Sequence, residues 1–276
     1  MQLKAKLRSI AKDNHISMQL VLQNFMLERL LERISISEYR SNLILKGGFL
    51  IASIVELNTR TTMDMDITIK SYPVDEKSIL NMFNRICNIN LDEEITFIIR
   101  DINKIRIADD YNGYRITFHA SYPPMKVPLK VDITTGDKIT PREVEYDFKL
   151  LLENRSISVL AYNLETVLAE KLESVIVRGD QNTRMRDYYD IFILMKLQLH
   201  NIDFELLRKA FIATVKKRNS LGLLMDYQTI IIKVKENEIM HKHWKKYQRN
   251  NEYAKDILFK DTCEVIQDIM IKITSK

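Results

Sequence analysis

A change in hydrophobic periodicity near the middle of the chain limits the folds that this sequence can adopt. In the first half, apolar and polar residues alternate in short segments typical of strands, over residues 64–69, 95–99, 116–120 and 127–133. After Pro141 the strand signal fades. Apolar residues then recur at helical spacing over residues 164–178, 186–199, 204–217 and most of the remaining chain. We therefore expect an α+β protein, with an α/β domain over residues 1–150 and an all-helical domain over residues 151–276.

Helical periodicity also occurs between the strand segments of the first half. It predicts helices over residues 4–14, 17–34, 49–57 and 74–89. Ser17 is a plausible N-cap, because its hydroxyl can accept from a free backbone N–H of the first turn. A short apolar run, Leu43–Leu45, ends at Gly47-Gly48.

Composition excludes several classes of protein. The chain has 276 residues, is 46% hydrophobic and 29% charged, and can therefore form a sizeable core. No apolar run reaches the roughly 18–20 residues of a membrane-spanning helix, and the N-terminus lacks the apolar core of a secretory signal. Cys87 and Cys263 lie too far apart in sequence to define a zinc site or a disulfide framework. We expect a cytoplasmic protein with reduced thiols and no membrane partner.

The net charge of +5 is unevenly distributed along the chain. Residues 1–203 carry a net charge of −1, whereas residues 204–276 hold 15 basic and 9 acidic side chains, a net charge of +6. Such asymmetry favours a polyanionic partner, although a solvated basic helical face would give the same counts. Trp244 and Tyr247 lie among the basic residues Lys242, Lys245, Lys246 and Arg249. These aromatic residues could stack on a base, but an amphipathic helix that buries them is slightly favoured.

Paired carboxylates mark the second strand segment. Asp64 and Asp66 are two residues apart on a predicted strand, so their side chains share a face and repel each other unless a cation neutralises them. Hard oxygen ligands of this kind suit Mg²⁺ or Mn²⁺, although an exposed pair of aspartates has the same spacing. Asp132, on the polar face of a later strand, would complete a two-metal site for nucleotidyl transfer if the two strands were neighbours.

The turn Lys46-Gly47-Gly48 immediately precedes a predicted helix. Glycines allow close approach of the backbone to a phosphate, and a helix N-terminus presents unpaired N–H donors. An ordinary tight turn would explain the same residues.

Two further patterns occur in the helical half. Lys171 falls inside the apolar stripe of its helix, so it must extend to solvent, pair with an acid or meet a ligand's phosphate. The pattern Arg184-x-Arg186-Asp187-x-x-Asp190 places two carboxylates on one helix face. Ordinary capping, with Asp187 as the N-cap, is the simpler explanation of that pattern.

Taken together, these motifs resemble those of the AbiEii/AbiGii family of nucleotidyltransferase-like toxins. The segment LILKGGFLIASIVELNTRTTMDMDITI resembles the family's glycine turn, apolar helix and R-x-S/T-x-D-x-D block. LKVDI resembles its second acidic strand, and LAEKLESVIVRGDQNTRMRDYYDIFIL resembles its E-K and R-D-x-x-D helices. The blocks run in family order from Leu43 to Leu194. Two departures are Gly48, where the wider polymerase-beta superfamily often has serine, and Thr62, where many relatives have serine.

The resemblance implies a nucleotidyltransferase fold, a small mixed sheet flanked by helices, followed by an all-helical C-terminal domain. It also implies site residues. Asp64 and Asp66 would bind Mg²⁺, with Asp132 as the third acid. Lys46, Gly47, Gly48, Arg60 and Thr62 would bind the nucleotide. In the helical half, Lys171 would bind phosphates, and either Asp187 or Asp190 would be essential.

The implied activity is Mg²⁺-dependent transfer of NMP from an NTP to an acceptor. Family members act as toxins in type IV toxin–antitoxin and abortive-infection (phage-defence) systems, with the antitoxin encoded alongside. The acceptor is expected to be RNA, specifically the acceptor end of tRNA. Two alternatives remain open: a small-molecule acceptor, as in antibiotic-modifying enzymes, and a non-catalytic module that binds nucleotide or antitoxin.

Overall fold

The computed structural model describes residues 2–107 and 111–275, and these residues form two compact units. The first unit comprises Met1–Asp137 and Glu143–Tyr162. The second comprises Lys138–Arg142 and Asn163–Lys276. This division differs from the expected boundary between residues 150 and 151, because a last strand after residue 150 belongs to the first unit.

The first unit is built on a seven-stranded mixed sheet. Its helices are α1 (Gln2–Asp13), α2 (Met18–Ile36), α3 (Gly47–Val55) and α4 (Glu76–Cys87). Its strands are β1 (Leu43–Lys46), β2 (Asp64–Ile69), β3 (Thr96–Ile107), β4 (Tyr111–Tyr122), β5 (Met125–Thr135), β6 (Val144–Lys149) and β7 (Ser156–Ala161). The strand order is β3-β4-β5-β2-β1-β7-β6. The expected mixed sheet with flanking helices is confirmed.

Strand periodicity gives the central strands one apolar and one polar face. On β2 and β5, Met65, Ile67, Val131 and Ile133 are fully buried on the apolar face, and α2 packs against β5. Since side chains alternate along a strand, Asp64, Asp66 and Asp132 are placed on the opposite face.

Two strands were missed by the sequence analysis. Beyond Pro141, β6 and β7 form an antiparallel hairpin at one edge of the sheet. On the outermost strand, β6, Phe148 is the one fully buried side chain. Because an edge strand with one buried residue shows almost no apolar alternation, its signal is weak.

The second unit is helical, as expected. Its helices are α5 (Leu164–Arg178), α6 (Met185–Gln198), α7 (Phe204–Lys217), α8 (Tyr227–Glu236), α9 (Glu238–Asn250) and α10 (Phe259–Thr274). Helix α5 contacts α6 and α7, and α10 contacts α6, α7 and α8. Across the described residues, we find no helix with both the length and the apolar character needed to cross a bilayer.

Candidate active site

Strand register brings the acids of β2 and β5 together. Asp66 lies directly opposite Asp132 in the parallel β2–β5 ladder. Asp64 lies two residues earlier on β2 and points to the same face. Neighbouring strands lie about 4.7–4.9 Å apart, so paired residues project side by side from the same face. The two strands are therefore neighbours in the sheet, which was the condition for Asp132 to join the site.

The glycine turn contacts the same carboxylates. Gly47 has a φ of +66°, and a Cβ atom added there would lie 2.1 Å from Oδ2 of Asp66. The backbone N–H of Gly48 donates to that Oδ2 over 3.3 Å. Glycine is thus required at position 47 both for its backbone conformation and for the approach of Asp66. In this structure the helix N-terminus faces a carboxylate of the site.

The loop before β2 is anchored on both sides. Arg60 is completely buried and Thr62 nearly so. A Cβ atom on Gly48 would lie 3.0 Å from a terminal nitrogen of Arg60 and 3.0 Å from Oγ1 of Thr62. These contacts give a steric reason for glycine in place of the serine of the wider superfamily. From α2, Asn24 donates to the carbonyl oxygen of Thr62 over 2.9 Å and fixes the start of β2.

Arg115 is a site residue that the sequence analysis missed. It lies opposite Asp132 in the β4–β5 ladder, and its Nε and Nη2 donate to the two carboxylate oxygens over 2.7 and 2.6 Å. These hydrogen bonds raise the pKa of Arg115, and the charges of Asp132, Asp64 and Asp66 add to the rise against the effect of burial. We call Asp64, Asp66, Asp132 and Arg115 the strand cluster. The available signal was an arginine on the polar face of β4, but only the register joins it to Asp132.

Lys46 is held by an acid that the sequence analysis also missed. Its Nζ lies 2.6 Å from Oδ2 of Asp137, which also accepts from the hydroxyls of Thr68 and Thr134. Burial alone would raise the pKa of Asp137, but the charge and hydrogen bond of Lys46 outweigh it and hold that pKa below its usual value. Lys46 therefore enters the site with its charge already balanced.

The donor set of the strand cluster suits a hard divalent cation in kind, because carboxylate oxygens are the ligands that such cations prefer. Three carboxylates and one guanidinium share this face of the sheet. Over residues 2–107 and 111–275, however, no three acid, histidine or cysteine side chains are already grouped closely enough to hold an ion. The bidentate contact of Arg115 engages both oxygens of one candidate ligand, Asp132.

A second charged group lies in the helical unit. Nζ of Lys171 on α5 is 2.6 Å from Oδ1 of Asp187 and 2.8 Å from Oδ2 of Asp190, both on α6. Both carboxylates are buried, and the hydroxyl of Ser174 also donates to Asp187. We call Lys171, Asp187 and Asp190 the helix cluster. Of the three roles considered for Lys171, the structure shows pairing with acids.

Electrostatics in the helix cluster favour the charged forms. Burial opposes ionisation, but the attraction of Lys171 holds the pKa of Asp187 below its usual value. The two aspartates likewise raise the pKa of Lys171 against the effect of burial. The capping explanation of Asp187 was wrong: Arg184 is the N-cap residue of α6, and Asp187 lies within the first turn.

The tryptophan of α9 is part of the core. Trp244 is 2% exposed, donates through Nε1 to the carbonyl of Ile257 over 2.9 Å, and packs against Phe259. The interpretation of α9 as an amphipathic helix that buries its aromatic side is confirmed for Trp244. The basic side chains of the same helix, which we call the α9 basic face, are exposed: Lys242, Lys245, Lys246 and Arg249.

Comparison with protein families assigns the chain to a family. Residues 29–265 match the model of the family described as nucleotidyl transferase AbiEii toxin, type IV toxin–antitoxin system. The chain belongs to the AbiEii family. It is therefore a nucleotidyltransferase of the toxin type, as the sequence resemblance implied.

Solved structures share the AbiEii fold at low sequence identity. MenT4, a nucleotidyltransferase toxin from Mycobacterium tuberculosis H37Rv, is 11% identical, with a TM-score of 0.51 over 98% of this chain and 99% of that one. A protein from Helicobacter pylori described as a nucleotidyltransferase is 15% identical, with a TM-score of 0.50 over 94% and 96% of the two chains. A comparison with curated protein sequences gives no significant match. The expected nucleotidyltransferase fold is confirmed along nearly the whole chain.

Proposed function

We propose that the strand cluster transfers NMP from an NTP to an RNA hydroxyl in a Mg²⁺-dependent reaction. The observation that carries this proposal is the placement of three carboxylates on one face of two neighbouring strands, beside a glycine turn that opens a helix. In the reaction, the acceptor oxygen bonds to the α-phosphorus and the bond to the β-phosphate oxygen breaks. Pyrophosphate leaves, and the hydroxyl proton passes to solvent.

In this proposal Asp64, Asp66 and Asp132 hold the divalent cation. Such cations orient the α-phosphate and lower the pKa of the attacking hydroxyl. The backbone N–H groups of Gly47 and Gly48 lie at a helix N-terminus, which attracts anions, and that of Gly48 would exchange its contact with Asp66 for a phosphate oxygen.

Three side chains complete the proposed nucleotide site. Arg60 and Thr62 border the glycine turn through Gly48. Lys46 precedes the turn and supplies a cation that Asp137 fixes in place. These contacts support nucleotide binding at this end of the sheet.

Lys171 has a separate proposed role in binding phosphates. Its ammonium is shared by Asp187 and Asp190, so it would meet a phosphate by exchanging one carboxylate for it. Asp187 and Asp190 then act as the groups that orient Lys171.

RNA is the proposed acceptor because of the charge of the helical unit. Residues 204–276 carry a net charge of +6, and the α9 basic face is exposed. A row of basic side chains binds phosphates without regard to sequence. The family resemblance favours the acceptor end of tRNA, and the type IV classification implies a companion antitoxin.

Incubation of the full chain with each labelled NTP, Mg²⁺ and total RNA tests this function. We expect label in an RNA of tRNA size with one preferred NTP, and none in EDTA or with Asp66→Asn. Asp147→Asn, which changes an exposed carboxylate on β6, is the matched control and should retain activity. Label on a small molecule would replace the RNA assignment, and undiminished transfer by Asp66→Asn would overturn the site.

A further inference from the structure

Arg115 occupies an unusual position for a cation in a proposed metal site. Its planar guanidinium binds both oxygens of Asp132, over 2.7 and 2.6 Å. Bidentate contacts of this kind are among the strongest and most directional hydrogen bonds in proteins. Asp132 is the residue directly opposite Asp66, so the contact lies at the centre of the strand cluster.

The contact is strong but not enclosed. The side chain of Arg115 is 40% exposed, whereas that of Asp132 is 17% exposed. An arginine on a strand surface with this exposure can change rotamer without unpacking the core. The structure therefore combines a well-formed ion pair with a cation that is able to leave it.

The carboxylate oxygens of Asp132 cannot bind the guanidinium of Arg115 and a divalent metal ion equally well at the same time. A carboxylate has about four lone-pair sites, and the arginine contact uses one on each oxygen in the plane that a bound ion would also favour. The positive charge of the guanidinium also repels a divalent cation at close range. The contact of Asp132 with Arg115 therefore competes with the binding of a divalent cation by Asp132.

We propose that Arg115 is a positioning residue that holds Asp132 until nucleotide arrives and then exchanges this carboxylate for the triphosphate. This inference rests on the proposed function, in which the strand cluster holds a divalent cation. A guanidinium pairs with phosphate as well as it pairs with a carboxylate. Nucleotide thus offers Arg115 a second partner and leaves Asp132 available to the cation.

The exchange couples the two ligands thermodynamically. Without nucleotide, a divalent cation can bind Asp132 only after the contact of Asp132 with Arg115 is broken, and the free energy of that contact weakens the affinity for the cation. With nucleotide bound, Arg115 contacts the triphosphate and this cost disappears, so each ligand strengthens the binding of the other. Removal of the guanidinium abolishes the coupling by strengthening cation binding in the absence of nucleotide.

Binding of Mn²⁺ to the full-length protein, followed by electron paramagnetic resonance without nucleotide, tests the exchange. We expect Arg115→Gln to bind Mn²⁺ about tenfold more tightly than the wild type, the order of one charge-assisted contact. Lys130→Gln is the matched control. It removes an equal charge from an exposed residue of β5 that lies opposite Asp64. Because Lys130→Gln leaves the contact of Arg115 with Asp132 intact, it should alter the affinity for Mn²⁺ by less than about threefold.

The outcomes distinguish a failure of the proposed exchange from a failure of the proposed metal site. If Arg115→Gln and Lys130→Gln raised the affinity for Mn²⁺ equally, the effect would come from the loss of a positive charge alone, and the exchange would be overturned. Unchanged Mn²⁺ affinity in Arg115→Gln would also overturn it. Mn²⁺ binding that Asp66→Asn leaves intact would instead overturn the proposed metal site. If circular dichroism shows that Arg115→Gln does not fold, Arg115→Lys replaces it. Lysine keeps the charge but cannot make the bidentate contact, so we expect Mn²⁺ binding tighter than wild type, and wild-type affinity would again overturn the exchange.

Discussion

The strand cluster and the helix cluster use the same residue types in opposite ways. The strand cluster sets three carboxylates against one guanidinium on a partly exposed face of the sheet. The helix cluster sets two carboxylates against one ammonium, with both carboxylates buried, and adds a hydroxyl donor from Ser174. The side chain of the cation is 40% exposed in the first cluster and 16% exposed in the second.

The difference teaches which cluster is prepared for a further cation. Neighbouring carboxylates repel each other unless cations offset their charge, and an exposed arginine can give its place to another cation. Buried carboxylates that share an ammonium are already compensated, and loss of that ammonium is costly. We therefore expect changes in the strand cluster to affect ligand binding and changes in the helix cluster to affect stability as well.

The largest effect on stability is expected from Lys171→Met. Removal of the ammonium takes away the cation that two buried carboxylates share, and leaves Asp187 with the longer contact of 3.8 Å to Arg184. We expect a cost of about 3–5 kcal/mol of the free energy of unfolding. Arg115→Met removes the cation of the more exposed cluster and should cost less than about 1 kcal/mol. Denaturation of both variants in urea measures the difference. Equal losses would remove the contrast between the clusters.

This expectation reverses one that the sequence alone supports. A lone lysine in an apolar stripe carries a burial cost, so its removal would leave the melting temperature unchanged or raise it. Pairing with Asp187 and Asp190 changes the sign of the effect. Helical spacing shows that Lys171 lies in the apolar stripe but does not show which residues of α6 face it.

Gly47→Ala should have the next largest effect, and it acts on the strand cluster. A left-handed conformation costs a residue with a Cβ atom about 1–2 kcal/mol. The new methyl group must also displace Asp66, since it would lie 2.1 Å from the carboxylate. We expect a drop in the free energy of unfolding of at least this size, together with loss of nucleotidyl transfer. Gly222→Ala is the control, because no atom lies within 4 Å of its added Cβ.

The pH dependence of stability should distinguish the helix cluster further. The pKa of Asp187 is lowered from 3.8, so its contribution is present above that pH and is lost as the pH falls through the lower folded value. The pKa of Lys171 is raised from 10.5, so its contribution is present below that pH and is lost as the pH rises through the higher folded value. The difference in unfolding free energy between wild type and Lys171→Met should therefore be largest near neutral pH and narrow in acid. A difference that widened in acid would contradict the ion-pair assignment.

The smallest effect on stability is expected at the α9 basic face. Replacement of Lys242, Lys245, Lys246 and Arg249 by glutamine should change stability by no more than about 0.5 kcal/mol per residue, because all four are exposed. If they bind RNA phosphates, the slope of log affinity against log salt should flatten by roughly 0.7 per contact for a single strand. Unchanged affinity with an unchanged slope would show that these residues form a solvated face only.

The sequence predicted most elements whose burial follows a simple period. The predicted helix over residues 164–178 coincides with α5, and that over 204–217 with α7. Asp64 and Asp66 were placed on one face of a strand from their spacing alone. The edge strand β6 was missed because it buries one residue, whereas β7 has an alternating pattern of buried residues that the sequence analysis did not recognise.

The unpredicted parts of the site depend on pairing across strands. Arg115 and Asp132 are 17 positions apart in sequence, and the partner of either one is set by the register of β4 and β5. Asp137 lies in the chain just after β5, where no periodicity marks it as the partner of Lys46. Local patterns give the face of a side chain, whereas the identity of its neighbour is a property of the assembled sheet.

The shift in melting temperature caused by Mg²⁺ tests the central claim most directly, when it is measured on wild type, Asp66→Asn and Asp190→Asn in parallel. We expect Mg²⁺ to raise the melting temperature of the wild type above its value in EDTA. Asp66→Asn should gain nothing from Mg²⁺, because it removes a ligand of the cation, and its own melting temperature in EDTA is the reference for that comparison. Asp190→Asn should melt lower than wild type in EDTA but keep the full response to Mg²⁺. A response that survives in Asp66→Asn and disappears in Asp190→Asn would contradict the assignment of the cation to the strand cluster.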